Sequence, residues 1–346
     1  MKIAHIHVWD KKNKGDVAIV LAVQELLRKK FPSAKIVDFS VEILKKITKR
    51  DVVNINKCDL VVIGGGGIYY HWFMPYNINS IKKIKPPIVI FGVGYIREIG
   101  ARKLTRTEIA SIVFLNNFAK LVSVRDYYTK KFLIKYGVQA KKIKVIGDPA
   151  IFLTEEKIKN LKFKNKVKIG FNLNYSGWMG FGKYEKNILD SYKKTLAYFK
   201  TKYNADIYYL LHHPDEKKIL KKLNIKNIKI IDLPPNQQKY FYSKMDLIIG
   251  MMLHSVVLAF GALTPEINVG YDLRNKSFAQ FINCPELIIS SDKLNKQPGH
   301  NLLSKSKTVL LKKKDYIKKF IKRKSDIWQQ QEKFLNQIDL LIKSDD

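Results

Sequence analysis

The chain has 346 residues, 46% of them hydrophobic, which is typical of a globular protein with two domains. It carries a formal net charge of +34, from 64 Lys and Arg against 30 Asp and Glu. Most of the excess is lysine spread along the chain, and no recognition helix, RNA-binding aromatic strand or zinc module accompanies it, so specific nucleic-acid binding is not predicted. The charge instead predicts salt-dependent attraction to anionic substrates and anionic membrane surfaces.

The compartment can be predicted from three further features. No run of 18 or more uncharged apolar residues is present, so no membrane-spanning helix is expected. The start of the chain, residues 1–10, has too short an apolar stretch for a secretory signal and reads as a strand. The two cysteines, Cys58 and Cys284, lie far apart and outside any metal-binding spacing, which favours a reducing compartment. We expect a cytoplasmic protein, with peripheral contact to an anionic membrane left open.

Strands alternate with helix-length segments through the first half of the chain. Strands are predicted near residues 2–9, 35–39, 59–63, 87–93, 121–124 and 142–146, and helices at 16–31, 105–118 and 127–136. Strands separated by helices favour a mainly parallel sheet with right-handed crossovers. We therefore expect a Rossmann-like domain over residues 1–155.

A second series of the same kind follows the lysine-rich segment 157–166, which is the predicted linker. Strands are predicted near residues 167–172, 206–211, 228–233, 246–249 and 265–269, and helices at 186–202, 216–223, 236–243 and 254–261. We expect a second Rossmann-like domain over residues 165–300 and a helical extension over 301–346, which either wraps over the body or is a solvated tail. The fold class is thus α/β, with two domains facing each other across a cleft.

The strand predicted at 59–63 runs directly into four glycines, which are Gly64, Gly65, Gly66 and Gly67. Ligands of open α/β sheets bind just outside the carboxyl ends of the strands, and glycine there lets a ligand approach the backbone closely. The alternative is a tight turn that packs against a helix. The run of four favours ligand access.

Other polar and glycine residues follow the strands of the first half. Asn13, Gly15 and Asp16 join the first strand to the first helix, where backbone amides favour an anion, although Asp16 is also a suitable helix cap. Gly92 and Gly94 end the strand near 87–93 and are either a turn or the floor of a ligand site. Arg125 follows a buried strand, where it either binds an anion or pairs with its neighbour Asp126. Asp148 is interpreted as structural.

Histidines occupy the corresponding places in the second half. His212 and His213 follow the strand at 206–211. No ligand set completes a metal site around them, so no metal is predicted. One of the two imidazoles is instead expected to act on an anionic ligand. His254 lies at the start of the helix at 254–261, where anions and a neutral imidazole are both favoured.

Taken in order, these motifs resemble the polysaccharide pyruvyl transferase family over roughly residues 3 to 282. The motifs that carry the resemblance are Asn13-x-Gly15-Asp16, the strand into Gly64–Gly67, Gly92-Val93-Gly94, Ser123-Val124-Arg125-Asp126, Asp148-Pro149-Ala150, Leu253-His254-Ser255, and Ala259, Pro265 and Tyr271-Asp272. The resemblance implies a GT-B-like fold and the transfer of pyruvate from phosphoenolpyruvate, as co-substrate without a further cofactor, to a sugar of a cell-surface glycan or lipid-linked saccharide.

The resemblance also implies roles for individual residues. His254 would be the general acid or a phosphate ligand, and Asp16 a base. Donor anions would be bound by Arg125, Ser255, Arg274 and Lys276, in addition to His212 and His213, which are expected there from their place after a strand. The acceptor would be lined by Asn13, Gly15, Gly64, Gly65, Gly66, Gly67, Gly92 and Gly94.

One position departs from the family pattern, because Met252 stands where the family has Arg before Leu-His. Methionine cannot bind a phosphate, so Arg274, Lys276 or Arg97 compensates, the donor differs, or activity is lost. The alternatives are therefore a glycosyltransferase of related fold that uses a nucleotide-sugar donor, and a non-catalytic relative that binds a glycan or an anion.

Overall fold

A computed structural model describes residues 1–8, 10–97, 101–174, 179–226, 228–294, 296 and 301–344. Its strands form two sheets of six strands each, and all pairs within both sheets are parallel. The predicted α/β class is confirmed.

The first sheet has the strand order β2-β1-β3-β4-β5-β6. Its strands are β1 (Lys2–His7), β2 (Lys35–Ser40), β3 (Leu60–Tyr69), β4 (Ile88–Tyr95), β5 (Leu121–Val124) and β6 (Ile143–Val145). Its helices are α1 (Lys14–Lys30), α2 (Lys49–Ile55), α3 (Ile78–Ile81), α4 (Arg106–Phe118) and α5 (Tyr127–Lys135). The strand order reverses between β1 and β3, which is the position where ligands of such sheets bind.

The second sheet has the order β12-β11-β10-β7-β8-β9, which reverses between β7 and β10. Its strands are β7 (Lys168–Phe171), β8 (Asp206–Leu210), β9 (Lys229–Ile231), β10 (Leu247–Gly250), β11 (Glu266–Gly270) and β12 (Ile288–Ser290). Its helices are α6 (Met179–Lys202), α7 (Glu216–Leu223), α8 (Pro235–Tyr242), α9 (Leu253–Gly261) and α10 (Leu273–Phe281). This is the strand order of the dinucleotide-binding Rossmann fold.

Two helices complete the chain, α11 (Leu302–Leu311) and α12 (Lys313–Ser344). The apolar face of α12 packs on both halves of the protein: the ring of Phe334 lies 5.7 Å from that of Phe91 in β4, and Phe320 lies 4.9 Å from Phe260 in α9. The extension is therefore packed against the body rather than solvated. Among the described residues, no helix combines the length and the apolar character needed to cross a membrane.

The prediction for β3 is wrong at its carboxyl end. The strand does not stop at Ile63 but continues through all four glycines to Tyr69. The space beside Gly64 and Gly65 is filled by protein, because a Cβ on Gly65 would collide with Ile19 of α1 and one on Gly64 would lie 3.0 Å from the carbonyl carbon of Phe91. These two glycines thus let α1 pack closely on the sheet and let β4 lie close beside β3.

Candidate functional site

A cavity of about 460 Å³ lies where the carboxyl ends of the two sheets meet. Both topological switch points contribute to it, β1 and β3 from the first sheet and β7 and β10 from the second. The residues that line it are Val8, Asp10, Asn13, Asp16, Ser40, Val41, Glu42, Gly67, Tyr70, Trp72, Phe73, Ile96, Arg125, Asn174, Met252, Leu253, His254, Tyr271 and Arg274. Its size is that of a small-molecule site.

Arg125 follows β5 and is only 4% exposed. Its Nη1 lies 3.4 Å from Asp148 Oδ2, and its Nε lies 3.5 Å from Asp126 Oδ2. Its Nε and Nη2 have no hydrogen-bond partner among the described residues. Since a buried donor without a partner is costly, this guanidinium is well placed to bind an anion.

Gly94 of β4 makes room for that guanidinium. A Cβ at this position would lie 2.5 Å from Arg125 Cζ, closer than any real contact. The glycine is thus required by the arginine side chain rather than by a ligand that touches the backbone.

His254 lies in the first turn of α9 and packs against Gly15 at the start of α1. A Cβ on Gly15 would lie 2.5 Å from His254 Cγ and 2.8 Å from its Cβ. The imidazole Nε2 lies 3.8 Å from Asp148 Oδ2 and has no hydrogen-bond partner in the part of the chain that the structure describes. Burial, together with the nearby charges of Arg125 and Arg274, lowers the pKa of His254 well below its usual value. The imidazole is therefore neutral at pH 7.

Asp148 joins the two groups just described. Its Oδ1 accepts a hydrogen bond from the backbone N–H of Ala150, and its Oδ2 faces both Arg125 and His254. Burial raises the pKa of Asp148, while the Arg125 charge and the hydrogen bonds oppose that rise. The carboxylate fixes the positions of the guanidinium and the imidazole relative to each other.

Asp16 is half-buried in the first turn of α1 and lines the cavity. Burial and the nearby carboxylate of Asp10 raise its pKa to about 7, and the charges of Arg274 and Arg125 oppose the rise. At neutral pH this carboxyl group therefore exists in both protonation states, as general acid–base catalysis requires. Asp16 does not cap α1, because the side chain of Asn13 takes that place by accepting from Gly15 N at 3.0 Å.

The second cation of the cavity is Arg274, at the start of α10. Its Nε donates to Asp272 Oδ2 at 2.6 Å, and the same carboxylate oxygen also contacts its Nη2. Met252 lines the cavity nearby as the N-cap of α9, a helix that begins without a side-chain cap. The amide end of α9 therefore faces the cavity beside an apolar side chain.

The family becomes evident when the sequence is compared with known families. The profile described as "Polysaccharide pyruvyl transferase" matches residues 13–272, three quarters of the chain; of the elements that build the cavity, β1 and α10 lie outside the match. The chain belongs to the polysaccharide pyruvyl transferase family. No curated protein matches the sequence significantly.

Solved structures similar to this family member are GT-B-type enzymes of UDP-sugars, which confirms the expected fold. The Anabaena protein HepE in complex with UDP-glucose has a TM-score of 0.63 and 12% identity over 99% of this chain and 100% of that one. S. aureus MnaA with UDP has a TM-score of 0.55 and 13% identity over 88% and 91%. UDP-GlcNAc 2-epimerase from Neisseria meningitidis bound to UDP-GlcNAc has a TM-score of 0.52 and 15% identity over 96% and 100%.

Several predicted site residues of this family member do line the cavity, namely Asn13, Asp16, Gly67, Arg125, His254 and Arg274. Gly15 and Gly94 lie directly behind them, against His254 and Arg125. Gly64, Gly65, Gly66 and Gly92 do not line it; a Cβ on Gly92 would lie 2.9 Å from Pro149 Cγ, so this glycine too accommodates packing.

Four predicted anion ligands also lie outside the cavity lining. His212 is buried and its Nε2 lies 2.7 Å from Tyr242 Oη, which in turn lies 2.9 Å from Ser255 Oγ, so both His212 and Ser255 belong to a buried hydrogen-bond chain. His213 Nδ1 accepts from the backbone N–H of Asp215 at 3.2 Å. Lys276 is exposed on α10. The sequence correctly located the ends of the strands, but it did not predict the directions in which these side chains point.

One group of side chains in the described part of the chain has metal-ligand character, and it was not predicted. His5, His7 and Asp38 bring one ligand atom each within 4.8 Å of one another. The group has protein partners: His5 Nε2 contacts the carbonyl of Gly64, and His7 Nε2 lies 3.0 Å from Asp38 Oδ1. None of the three lines the cleft cavity.

Proposed function

We propose that this protein transfers the pyruvyl group of phosphoenolpyruvate to a sugar hydroxyl of a surface glycan or its precursor, with formation of a ketal. The observation that supports this most strongly is the buried Arg125, whose Nε and Nη2 make no hydrogen bond within the described part of the chain, beside a neutral His254 in a cleft built by both sheets. A compact anion with both a carboxylate and a phosphate suits such a pair of donors.

Three positive features would bind the donor. Arg125 supplies its Nε and Nη2, Arg274 supplies a second guanidinium at the cavity wall, and α9 supplies the amide end of a helix. Helix amide ends and paired guanidinium groups are recurrent phosphate ligands. Arg274 is the candidate to replace the arginine that the family pattern has at Met252, because both residues line the same cavity.

The reaction needs one proton acceptor and one proton donor. The sugar oxygen forms a bond to C2 of phosphoenolpyruvate, and C3 takes up a proton to become the methyl group. The bond from C2 to the phosphate oxygen then breaks, phosphate leaves, and a second sugar hydroxyl attacks C2, loses its proton and closes the ketal.

The pKa of Asp16, raised to about 7, suits this carboxyl group for proton transfer in either direction at neutral pH. Burial and the neighbouring guanidinium charges lower the pKa of His254, so its imidazole stays neutral but is a weak base. We therefore assign Asp16 to accept the proton of the sugar hydroxyl and to donate a proton to C3, and His254 to bind the donor through a hydrogen bond.

The test is phosphate release from phosphoenolpyruvate in the presence of galactose-type and mannosamine-type sugars, with mass spectrometry of the sugar product. We expect acceptor-dependent phosphate release and a pyruvylated sugar, and a loss of roughly 10²–10³ in kcat for Arg125→Lys. Arg323→Lys, at a site on α12 outside the cleft, is the matched control. If no acceptor supports phosphate release, pyruvyl transfer is refuted.

The same experiment separates the alternatives. A glycosyltransferase with a nucleotide-sugar donor would be stabilised against heat by UDP or GDP and not by phosphoenolpyruvate. A non-catalytic relative would bind sugar or anion without turnover. We further propose that the acceptor is a glycan or a lipid-linked saccharide, and that the basic surface gives salt-dependent contact with anionic membranes.

A further inference from the structure

A group of aromatic side chains follows β3 at the mouth of the cleft. Tyr70, Trp72 and Phe73 all line the cavity, and Trp72 is 55% exposed. The rings are arranged around Tyr70, whose centroid lies 5.1 Å from that of Trp72 and 6.3 Å from that of Phe73. We call these three residues the aromatic rim. An indole that is exposed and yet held by neighbouring rings is a preformed surface for a flat apolar ligand face.

The aromatic rim lies beside polar residues from the edge of the first sheet. The short helices His71–Phe73 and Val41–Leu44 pack against each other, and Lys45 Nζ lies 3.5 Å from the Trp72 carbonyl. Ser40, at the end of β2, and Glu42, in the short helix Val41–Leu44, line the same cavity. A hydroxyl and a carboxylate next to an aromatic surface provide hydrogen-bond partners for sugar hydroxyl groups.

The rim is separated from the cationic part of the cavity. The rim follows β3 and Arg125 follows β5, which lies two strands away in the first sheet, or about 10 Å at the usual strand spacing. His254 and Arg274 come from the second sheet. The cavity thus has a cationic part suited to a small anion and an aromatic part suited to an uncharged ring.

We propose that the aromatic rim binds a pyranose of the acceptor glycan, next to the sugar that receives the pyruvyl group. The inference rests on the proposed function and extends it: the acceptor is a disaccharide or longer glycan whose apolar C–H face stacks on Trp72, with Ser40 and Glu42 binding its hydroxyl groups. Dispersion and burial of the indole surface supply the affinity.

The kinetic test compares Trp72→Ala and Trp72→Phe with the wild type. The acceptors are methyl β-galactoside, lactose, N-acetylmannosamine and its β1,4-linked disaccharide with N-acetylglucosamine. We expect Trp72→Ala to raise the KM for the disaccharide substrate about tenfold and to leave the KM for phosphoenolpyruvate unchanged within twofold. Trp72→Phe should keep most of the affinity for the disaccharide. Tyr127→Ala is the control, because Tyr127 is 49% exposed and does not line the cleft. An unchanged KM in Trp72→Ala overturns the inference.

A binding measurement without donor separates this inference from the proposed function. Saturation-transfer NMR records contact between the same sugars and the protein whether or not chemistry occurs. Contact that is lost in Trp72→Ala and kept in Tyr127→Ala supports the rim even if phosphoenolpyruvate is never consumed. Contact that is equal in Trp72→Ala and wild type, or absent for every sugar with the wild type, overturns it.

Discussion

Replacement of Gly15 by alanine tests how the two halves of the protein meet at the site. Gly15 lies in the first turn of α1 and has ordinary helical geometry. In an unobstructed helix, alanine is favoured over glycine because it restricts the unfolded chain. Here the new methyl group would lie 2.5 Å from His254 Cγ and 2.8 Å from His254 Cβ, so α9 or the imidazole must move.

The two effects have opposite signs and known sizes. Helix propensity alone would stabilise the variant by about 0.5–1 kcal/mol. Overpacking of a closely packed site costs about 1–3 kcal/mol. The nearest atoms include the His254 Cβ, which cannot turn away as the end of a long side chain can. We therefore expect Gly15→Ala to lower the free energy of unfolding by up to about 2 kcal/mol, and displacement of the imidazole to lower kcat.

A double-mutant cycle with His254→Ala isolates the contact. In the His254→Ala background the methyl group has space, so Gly15→Ala should be neutral or stabilising by about 0.5–1 kcal/mol. The coupling free energy between the two positions should then be about 1–3 kcal/mol, measured by urea unfolding of all four proteins. A Gly15→Ala protein that is more stable than wild type, with no coupling to His254→Ala, would refute this packing of α1 against α9.

Three further changes test the charges of the site and of the interior. The folded state holds the pKa of Asp16 at about 7, above its ordinary value, so its carboxyl group favours folding at low pH and this contribution is lost as the pH rises from about 4 through 7. Asp16→Asn should therefore gain stability relative to wild type across that range. Stability profiles of the two proteins that run parallel with pH in urea unfolding would contradict this. Arg274→Met should lower kcat/KM for phosphoenolpyruvate about 10²-fold. Met252→Arg should restore part of this kcat/KM, and only in the Arg274→Met background. Full activity of Arg274→Met would show that another group replaces the family arginine. Lys239 is buried, and its Nζ donates to two carbonyls of segment 151–153. Its pKa is lowered to about 7, so its contribution to stability should rise from pH 7 to 10. Lys239→Met should abolish that rise, measured by urea unfolding.

The fold was predictable because hydrophobic strands alternate with helical segments along nearly the whole chain. Most predicted strands and helices differ from the structure by one to three residues at their ends, strand β5 and helix α7 match at both ends, and helix α6 begins seven residues earlier than predicted. Helices α2, α3 and α10 and strand β12 were missed. Helices α2 and α3 are only seven and four residues long, and α10 has little amphipathic pattern, since residues such as Asn275 and Ser277 are buried on it. Strand β12 is only three residues long.

Site residues were predictable where the backbone alone decides their place. Arg125 and His254 each follow a buried strand, so their position at the cleft followed from the topology. The predicted access of a ligand to several glycines was wrong, because a sequence does not reveal which side chain occupies the space beside a glycine. Gly15 and Gly94 face site residues, while Gly65 faces Ile19. Trp72 was missed because an aromatic residue in a loop carries no signal that distinguishes core from cavity rim.

The proposed function requires phosphoenolpyruvate to bind between Arg125, Arg274 and His254. A crystal structure of the protein with phosphoenolpyruvate would show whether it does. We expect an oxygen of the ligand within about 3 Å of Arg125 Nη2, in the cleft beside His254. Phosphoenolpyruvate bound elsewhere, or a cleft that binds UDP and leaves phosphoenolpyruvate in solution, would contradict it.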